Sequence, residues 1–194
     1  MLEAYESKYY GYSIWIDYRK IKKSSEMLTP EDNELLCRVA GSKPMGQMVR
    51  RYWIPALLSD ELKSDSQPVR VRLMGENLVA FRDSNGDVGL IQELCPHRGV
   101  SLFLARNEEC GLRCLYHGWK FDVSGKIVDM PTENNNEAII DQIHAVAYPI
   151  HETGGIIWAY MGPEGDEPPP INFEFTKYPG SHLVHTKMHI QCNW

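Results

Sequence analysis

Two short segments of the chain each pair one cysteine with one histidine, side chains that commonly bind transition metals. Cys95 and His97 lie in the first segment, Cys114 and His117 lie in the second, and sixteen residues separate His97 from Cys114. Four such ligands can hold a tetrahedral zinc ion or an iron–sulfur cluster. One ligand of each type per segment suits a [2Fe–2S] cluster with two cysteines on one iron and two histidines on the other. Zinc is the alternative, although structural zinc sites more often use C-x-x-C pairs.

A glycine lies shortly after each histidine, at Gly99 and Gly118. Glycine lets the backbone turn tightly, so that N–H groups in these loops can point at cluster sulfurs and stabilise the reduced form. Imidazole ligands also titrate, which leads to the hypothesis that reduction and protonation of the cluster are coupled.

The segments CPHRG and CLYHGW resemble the signature of Rieske proteins. The resemblance implies one [2Fe–2S] Rieske cluster on the two cysteines and two histidines named above. It also implies a mainly β fold, a Rieske-type antiparallel β-sandwich with short N-terminal helices. Respiratory and photosynthetic Rieske proteins carry an extra cysteine in each loop, where this chain has Val100 and Tyr116. That difference favours the oxygenase or ferredoxin type, with a potential near the low end of roughly −150 to +300 mV.

From Met27 to Trp194 the chain is similar to the oxygenase component of phthalate 4,5-dioxygenase-like Rieske oxygenases. It implies a bacterial, cytoplasmic protein that forms homotrimers and takes electrons from a reductase containing flavin and an iron–sulfur centre. It further implies an aromatic small-molecule substrate. The segments that carry the resemblance are LTPEDNELL, RRYWIPALLSDEL, PVRVRLMGENLVAFRDSNGDVGL, RNEECGLRCLYHGWKFDVSGK and GGIIWAYMGP.

Rieske oxygenases use a second metal centre, a mononuclear Fe(II) held by two histidines and one carboxylate. In the family this triad follows a segment like Gln191–Trp194, where the present sequence stops. We therefore expect electron transfer from this chain and no catalytic residue within it. His182, His185 and His189 do not match the triad, and we interpret them as solvated or packing histidines. A stand-alone Rieske ferredoxin and a zinc or interaction module are the alternatives to a part of an oxygenase.

Three residues within the motifs and one after them have both a functional and a plain structural interpretation. Arg98 is either part of a docking surface for an electron donor or an ordinary surface arginine. Tyr116 either donates a hydrogen bond toward the cluster or fills space beside it. Trp119 resembles a family position that packs behind the cluster, and core packing is favoured over electron tunnelling through its ring. Pro131 resembles part of a third loop that covers the cluster, or is a turn proline.

The N-terminal part of the sequence contains one clear helix signal. Thr29 is a suitable N-cap residue, and proline and acidic residues follow it in the first turn. Leu35, Leu36 and Val39 give the helix one apolar face, and Gly41 is placed to end it. Four parts of the chain are predicted: an extension at 1–26, a helical segment at 27–60, the Rieske domain at 61–165 and the start of a catalytic domain at 166–194.

A two-residue hydrophobic period, or a short apolar run bounded by turn residues, predicts strands through the rest of the chain. Several short strands separated by turns indicate an antiparallel sandwich or barrel. Tyr52–Trp53 and Trp158–Tyr160 are aromatic pairs that we assign to the core. The predicted strands are Val69–Leu73, Asn77–Arg82, Val88–Gln92, Trp119–Val123, Lys126–Asp129, Ile156–Met161 and, more loosely, His182–Ile190.

Composition excludes some functions. The formal charge is −6, with no basic block, which argues against binding of nucleic acid. No apolar run approaches the roughly 20 residues that cross a bilayer, and no secretory signal is recognisable, so no membrane association is expected. Five cysteines without an export signal indicate a reducing compartment. Cys37, Cys110 and Cys192 are predicted to be buried or half-buried thiols outside the metal site.

Overall fold

The computed structural model describes residues 28–132, 140 and 142–188. The chain divides into two compact units between Glu34 and Leu35. The predicted extension at 1–26 lies outside the described residues, as do His189 and Cys192. None of the helices among the described residues has the length and apolar character needed to cross a membrane.

Two short helices, α1 (Pro30–Cys37) and α2 (Pro44–Val49), precede the sheets. The predicted N-cap is confirmed, because the backbone N–H of Asp32 donates to Thr29 Oγ1 at 3.1 Å. The prediction that the apolar face of α1 packs against the protein is wrong, since Leu35 and Leu36 are 51% and 45% exposed. Helix α1 also ends at Cys37, before the predicted stop at Gly41. An eight-residue helix with no buried side chain has little tertiary packing to extend it.

Short antiparallel strands form three sheets in the described part of the chain. The middle sheet has the order β2-β3-β4, a second sheet has the order β1-β10-β9, and a four-stranded sheet has the order β5-β6-β7-β8. The mainly β, antiparallel fold class predicted from the sequence is therefore confirmed. The strands are β1 (Trp53–Leu58), β2 (Val69–Leu73), β3 (Glu76–Arg82), β4 (Val88–Gln92), β5 (Arg106–Asn107), β6 (Leu112–Arg113), β7 (Lys120–Phe121), β8 (Ile127–Asp129), β9 (Ile150–Thr153) and β10 (Ile156–Tyr160).

Strand β3, at the centre of the middle sheet, is buried on both faces from Leu78 to Phe81. Leu78 and Ala80 belong to a hydrophobic core shared with β1 and β10. Val79 and Phe81 belong to the opposite core, shared with the four-stranded sheet. All four side chains are at most 1% exposed, and full burial of a large apolar side chain stabilises a fold by about 1.5–3 kcal/mol. The second of these cores also contains both cysteines of the predicted metal site.

Two other sequence interpretations need correction. Tyr52 is not a core residue, because it is 62% exposed just before β1, whereas Trp158 and Tyr160 are buried as predicted. No strand forms over the described part of His182–Ile190: a 3-10 turn ends at His182, and 183–188 have no regular structure. His185 packs there on the β9–β10 turn, with its Nε2 atom 2.6 Å from the carbonyl oxygen of Gly154.

Gly89 of β4 supplies a test of this packing. It lies opposite Phe81 on β3, and a Cβ atom at Gly89 would lie 2.5 Å from Phe81 Cε1 and 3.0 Å from Val123 Cα. Gly89→Ala is expected to lower the free energy of unfolding by about 1–3 kcal/mol, because the new methyl group would overlap both the buried Phe81 ring and the Val123 backbone. The measurement is urea denaturation followed by circular dichroism.

Gly180→Ala is the matched control, since nothing lies within 4 Å of a Cβ atom at that position. We expect the control to change stability by no more than about 0.5 kcal/mol. Equal effects of the two substitutions would contradict the packing described for the middle sheet.

Candidate metal centre

The first cysteine–histidine segment forms a six-residue loop, Cys95–Val100, between β4 and β5. We call it the first loop. The N–H of Cys95 donates to the carbonyl of Val100 at 2.9 Å, and the N–H of Gly99 donates back to the carbonyl of Cys95 at 2.8 Å. Gly99 has a φ of +70°, in the left-handed region that favours glycine. The loop is thus closed by its own backbone.

The second segment forms an equivalent loop, Cys114–Trp119, between β6 and β7. We call it the second loop. The N–H of Cys114 donates to the carbonyl of Trp119 at 2.9 Å, and the N–H of Gly118 donates to the carbonyl of Cys114 at 3.1 Å. Gly118 has a φ of +77°. The two loops therefore share one hydrogen-bond frame, with cysteine first and glycine fifth. The histidine is third in the first loop and fourth in the second.

The two cysteine thiols lie side by side in the core. Cys95 and Cys114 are 3% and 4% exposed. Burial raises the pKa of Cys95 to about 11, and the neighbouring Cys114 thiol raises it as well, while the backbone N–H groups of His97 and Arg98 act in the opposite direction. A thiolate pair here needs a positive partner, because burying negative charge without compensation is costly. A metal ion supplies such compensation.

The two histidine rings lie next to each other and are half-buried. The ring centroids of His97 and His117 are 4.6 Å apart and their planes are inclined by 60°. His117 Nδ1 is buried and has no hydrogen-bond partner among the described residues. A buried, unpaired imidazole nitrogen is costly in an apolar setting and is what a metal ligand presents before the metal binds. The chemistry of this donor set therefore fits a [2Fe–2S] cluster.

The four predicted ligands come together as a pair of thiols and a pair of rings. Within 28–132, 140 and 142–188, no three His, Cys, Asp or Glu side chains are grouped around a position for one metal ion. Cys37 and Cys110, predicted to be thiols outside the site, are half-buried and free of disulfides.

The residues predicted around the site occupy distinct positions. The Trp119 ring is buried and stacks on the His97 ring, with centroids 4.4 Å apart and planes inclined by 3°. The ring of Tyr116 lies 3.8 Å from that of His117 but is 60% exposed. Arg98 is also exposed. Pro131 lies over Gly118: a Cβ atom added to that glycine would be 2.9 Å from Pro131 Cγ.

Sequence reasoning missed the polar groups that fix the two loops from outside. Glu93, just before the first loop, accepts from Ser101 Oγ at 2.6 Å and from Arg70 Nε at 2.9 Å. The hydrogen bond from Ser101 contributes most to lowering the pKa of Glu93. Arg113, just before the second loop, donates hydrogen bonds to Glu108, to Asp129 and to the carbonyl of Gly118. Neither residue belongs to a recognisable motif, so the sequence carries no local signal for them.

Gly99 and Gly118 allow a matched test of the loop geometry. Both have left-handed φ angles, so alanine at either position is expected to cost about 1–2 kcal/mol of stability. A Cβ atom at Gly99 has nothing within 4 Å, whereas one at Gly118 meets Pro131. Gly118→Ala is therefore expected to lose roughly 1 kcal/mol more than Gly99→Ala in urea unfolding of the purified protein.

Pro131→Ala combined with Gly118→Ala is expected to recover that additional loss, because the substitution removes the atom that the new methyl group meets. Equal losses at the two glycines, or the absence of recovery in the double variant, would contradict the contact between Gly118 and Pro131.

Comparison with known proteins identifies the family of this arrangement. The sequence profile of the Rieske [2Fe–2S] domain matches residues 52–152, just over half of the chain. The chain is 49% identical over 169 residues to the phthalate 4,5-dioxygenase oxygenase subunit of Pseudomonas putida, covering 87% of this chain and 38% of the relative. It is 38% identical over 172 residues to the 5,5'-dehydrodivanillate O-demethylase oxygenase subunit of a Sphingobium species, covering 87% and 40%.

Solved structures agree with this result. Apo dicamba monooxygenase superposes with a TM-score of 0.59 at 28% identity, over 66% of this chain and 37% of that structure. The oxygenase–ferredoxin complex of carbazole 1,9a-dioxygenase gives a TM-score of 0.53 at 31% identity, over 62% and 31%. The chain spans about two fifths of the length of the relatives that match its sequence. By the profile match, this chain belongs to the Rieske [2Fe–2S] domain family, and its relatives include oxygenase subunits of the phthalate 4,5-dioxygenase type.

Proposed function

We propose that Cys95 and Cys114 bind one iron of the Rieske cluster and that His97 and His117 bind the other. The observation that carries this assignment is the adjacent pair of buried thiols together with the unpaired, buried Nδ1 of His117. The bound [2Fe–2S] cluster supplies reversible one-electron chemistry.

The protein contributes a dry side and an accessible side to this site. The core around the thiols excludes water from the cysteine pair. The rings of His97 and His117 are only half-buried, so the histidine side lies closer to solvent. The N–H groups of His97 and Arg98 face the Cys95 sulfur and favour its charged form. This difference in exposure supports the histidine side as the face toward an electron-transfer partner.

At the level of the whole protein, we infer that the chain is the electron-transfer part of a Rieske oxygenase. Its relatives are named as oxygenase subunits of dioxygenases and O-demethylases, and one matching structure is named as an oxygenase–ferredoxin complex. The electron donor is then a flavin- and iron–sulfur-containing reductase or a ferredoxin. The acceptor is a mononuclear Fe(II) outside the described residues. Homotrimer formation and an aromatic substrate are parts of the same proposal.

A stand-alone Rieske ferredoxin is the second candidate. The sequence match to oxygenase subunits covers 87% of the chain, whereas the Rieske profile itself covers residues 52–152. Similarity outside the Rieske domain favours the oxygenase, because a small electron carrier does not need it. The division into an entry segment at 27–60, which contains strand β1 as well as α1 and α2, a Rieske domain at 61–165 and the start of a catalytic domain at 166–194 stays a prediction.

The ligand assignment predicts the outcome of single substitutions. Cys95→Ser and His117→Ala are each expected to abolish the visible absorbance and the electron paramagnetic resonance signal of the reduced Rieske cluster, because each removes a ligand. Iron analysis should fall from about two per chain toward zero. Cys110→Ser is the matched control, since that thiol is half-buried and lies outside the two loops.

Retention of the Rieske signal in either ligand variant would refute the assignment. A colourless wild-type protein containing zinc would refute the cluster proposal as a whole.

The electron-transfer role predicts reduction by a partner. With NADH and a catalytic amount of a phthalate dioxygenase-type reductase, the wild-type protein is expected to lose its oxidised visible bands and gain the reduced Rieske signal. Cys95→Ser should show neither change, because it holds no cluster. Stopped-flow absorbance measures the rate. A cluster that dithionite reduces, but that neither such a reductase nor a ferredoxin reduces, would contradict the proposed partners.

A further inference from the structure

We propose that Arg113 positions the second loop by tying it to the β5–β6 turn and to the end of β8. The inference rests on the ligand assignment proposed above, because it gives Arg113 a role in holding His117 and Cys114 in place. Arg113 immediately precedes Cys114 and is the last residue of β6.

The guanidinium of Arg113 makes three hydrogen bonds in different directions. Its Nη1 donates to the carbonyl of Gly118 at 2.8 Å and to Asp129 Oδ2 at 2.7 Å. Its Nε donates to Glu108 Oε1 at 2.7 Å. One side chain therefore joins the β5–β6 turn, the second loop and the end of β8. Only a planar group with several fixed donors can make these contacts together.

The environment of Arg113 makes these contacts effective. Its side chain is 16% exposed, so solvent screens the two ion pairs less than it screens pairs on the surface. The carboxylates of Asp129 and Glu108 and the carbonyl of Gly118 each accept a hydrogen bond from the guanidinium and hold it in one orientation.

The contacted groups are those that border the cluster ligands. Gly118 follows His117 directly, and its own N–H donates to the carbonyl of Cys114. Asp129 begins the segment in which Pro131 covers Gly118 and Thr132 accepts a hydrogen bond from Trp119 Nε1 at 3.3 Å. Releasing Arg113 would therefore loosen the second loop and its cover at the same time, while the first loop would keep its own support from Glu93.

Arg106 is a close internal comparison. It pairs with the same Glu108 through its Nε, at 3.4 Å, but its side chain is 63% exposed and the pair lies at the edge of the four-stranded sheet. Arg106 and Arg113 are opposite each other across the β5–β6 pair. The structure thus offers two arginines with a common partner, of which only one contacts the second loop.

The test compares Arg113→Gln, Arg113→Lys and Arg106→Gln in the protein isolated with its cluster. For Arg113→Gln we expect a shifted and broadened signal of the reduced cluster in electron paramagnetic resonance and a changed midpoint potential. Loss of visible absorbance under an iron chelator should be about 10- to 100-fold faster, matching the 10- to 100-fold loss of metal affinity typical when a group that supports metal ligands is removed. Arg113→Lys should lose its absorbance at a rate between those of the wild type and Arg113→Gln, because one ammonium group cannot reproduce the forked guanidinium contacts. Arg106→Gln should match the wild type.

Wild-type signal, potential and chelation rate in Arg113→Gln would overturn the proposal. If Arg113→Gln fails to fold, Asp129→Asn decides, because it keeps an oxygen acceptor but removes one charge: a smaller change in the same direction supports the proposal and a wild-type result overturns it. A wild-type protein without a Rieske signal would instead refute the ligand assignment, so the two failures are distinguishable.

Discussion

The sulfur atoms of Cys95 and Cys114 lie together in a hydrophobic core, where burial and the neighbouring Cys114 thiol raise the pKa of Cys95. Thiolates in such a place are stable only beside positive charge, which a metal centre provides. The loops must therefore hold the two thiols in place inside the core. They do so with backbone hydrogen bonds inside each loop and with charged groups at their bases, Glu93 for one and Arg113 for the other.

The sheets explain how these loops reach the same place. The first loop leaves the middle sheet through β4, and the second loop connects two strands of the four-stranded sheet. Both sheets contribute to the core that contains the thiols, so the packing of the two sheets also brings the two cysteines together. A substitution inside this core, even one far from the loops, therefore also disturbs the packing that supports the site.

The strands predicted best are those whose hydrophobic pattern is long enough to read. Val69–Leu73 alternates apolar and charged residues, and the following strands are bounded by clear turn residues. Strands β5 and β6 have two residues each, too few to show a period. Strand β1 contains Pro55 and a register shift beside it, which hides it from a pattern search. Tyr52 shows that aromatic character alone does not predict burial, because its side chain is 62% exposed.

The metal ligands were visible in the sequence because their chemistry requires specific residue types at fixed spacing within each loop. Glu93 and Arg113 were not visible, since a charged residue before a cysteine becomes informative only when its partners are known. Asp129 lies sixteen residues from Arg113 and Arg70 lies twenty-three residues from Glu93. Their contacts arise from the fold, which single-sequence patterns do not encode. The family match indicates the class of cofactor but does not identify these supporting groups.

Burial of β3 on both faces has a consequence for how the chain finds its register. In a sheet with one wet face, a slip of one residue exposes the apolar side chains and is rejected at once. In β3 the same slip would exchange Leu78 and Ala80 with Val79 and Phe81 between two cores, leaving a compact, misfitted state. Shape complementarity and the turns must then select the correct pairing. The two-residue Met74–Gly75 turn, with both φ angles positive, fixes one end. The pairing of Phe81 with Gly89, where only glycine leaves room for the ring, fixes the other.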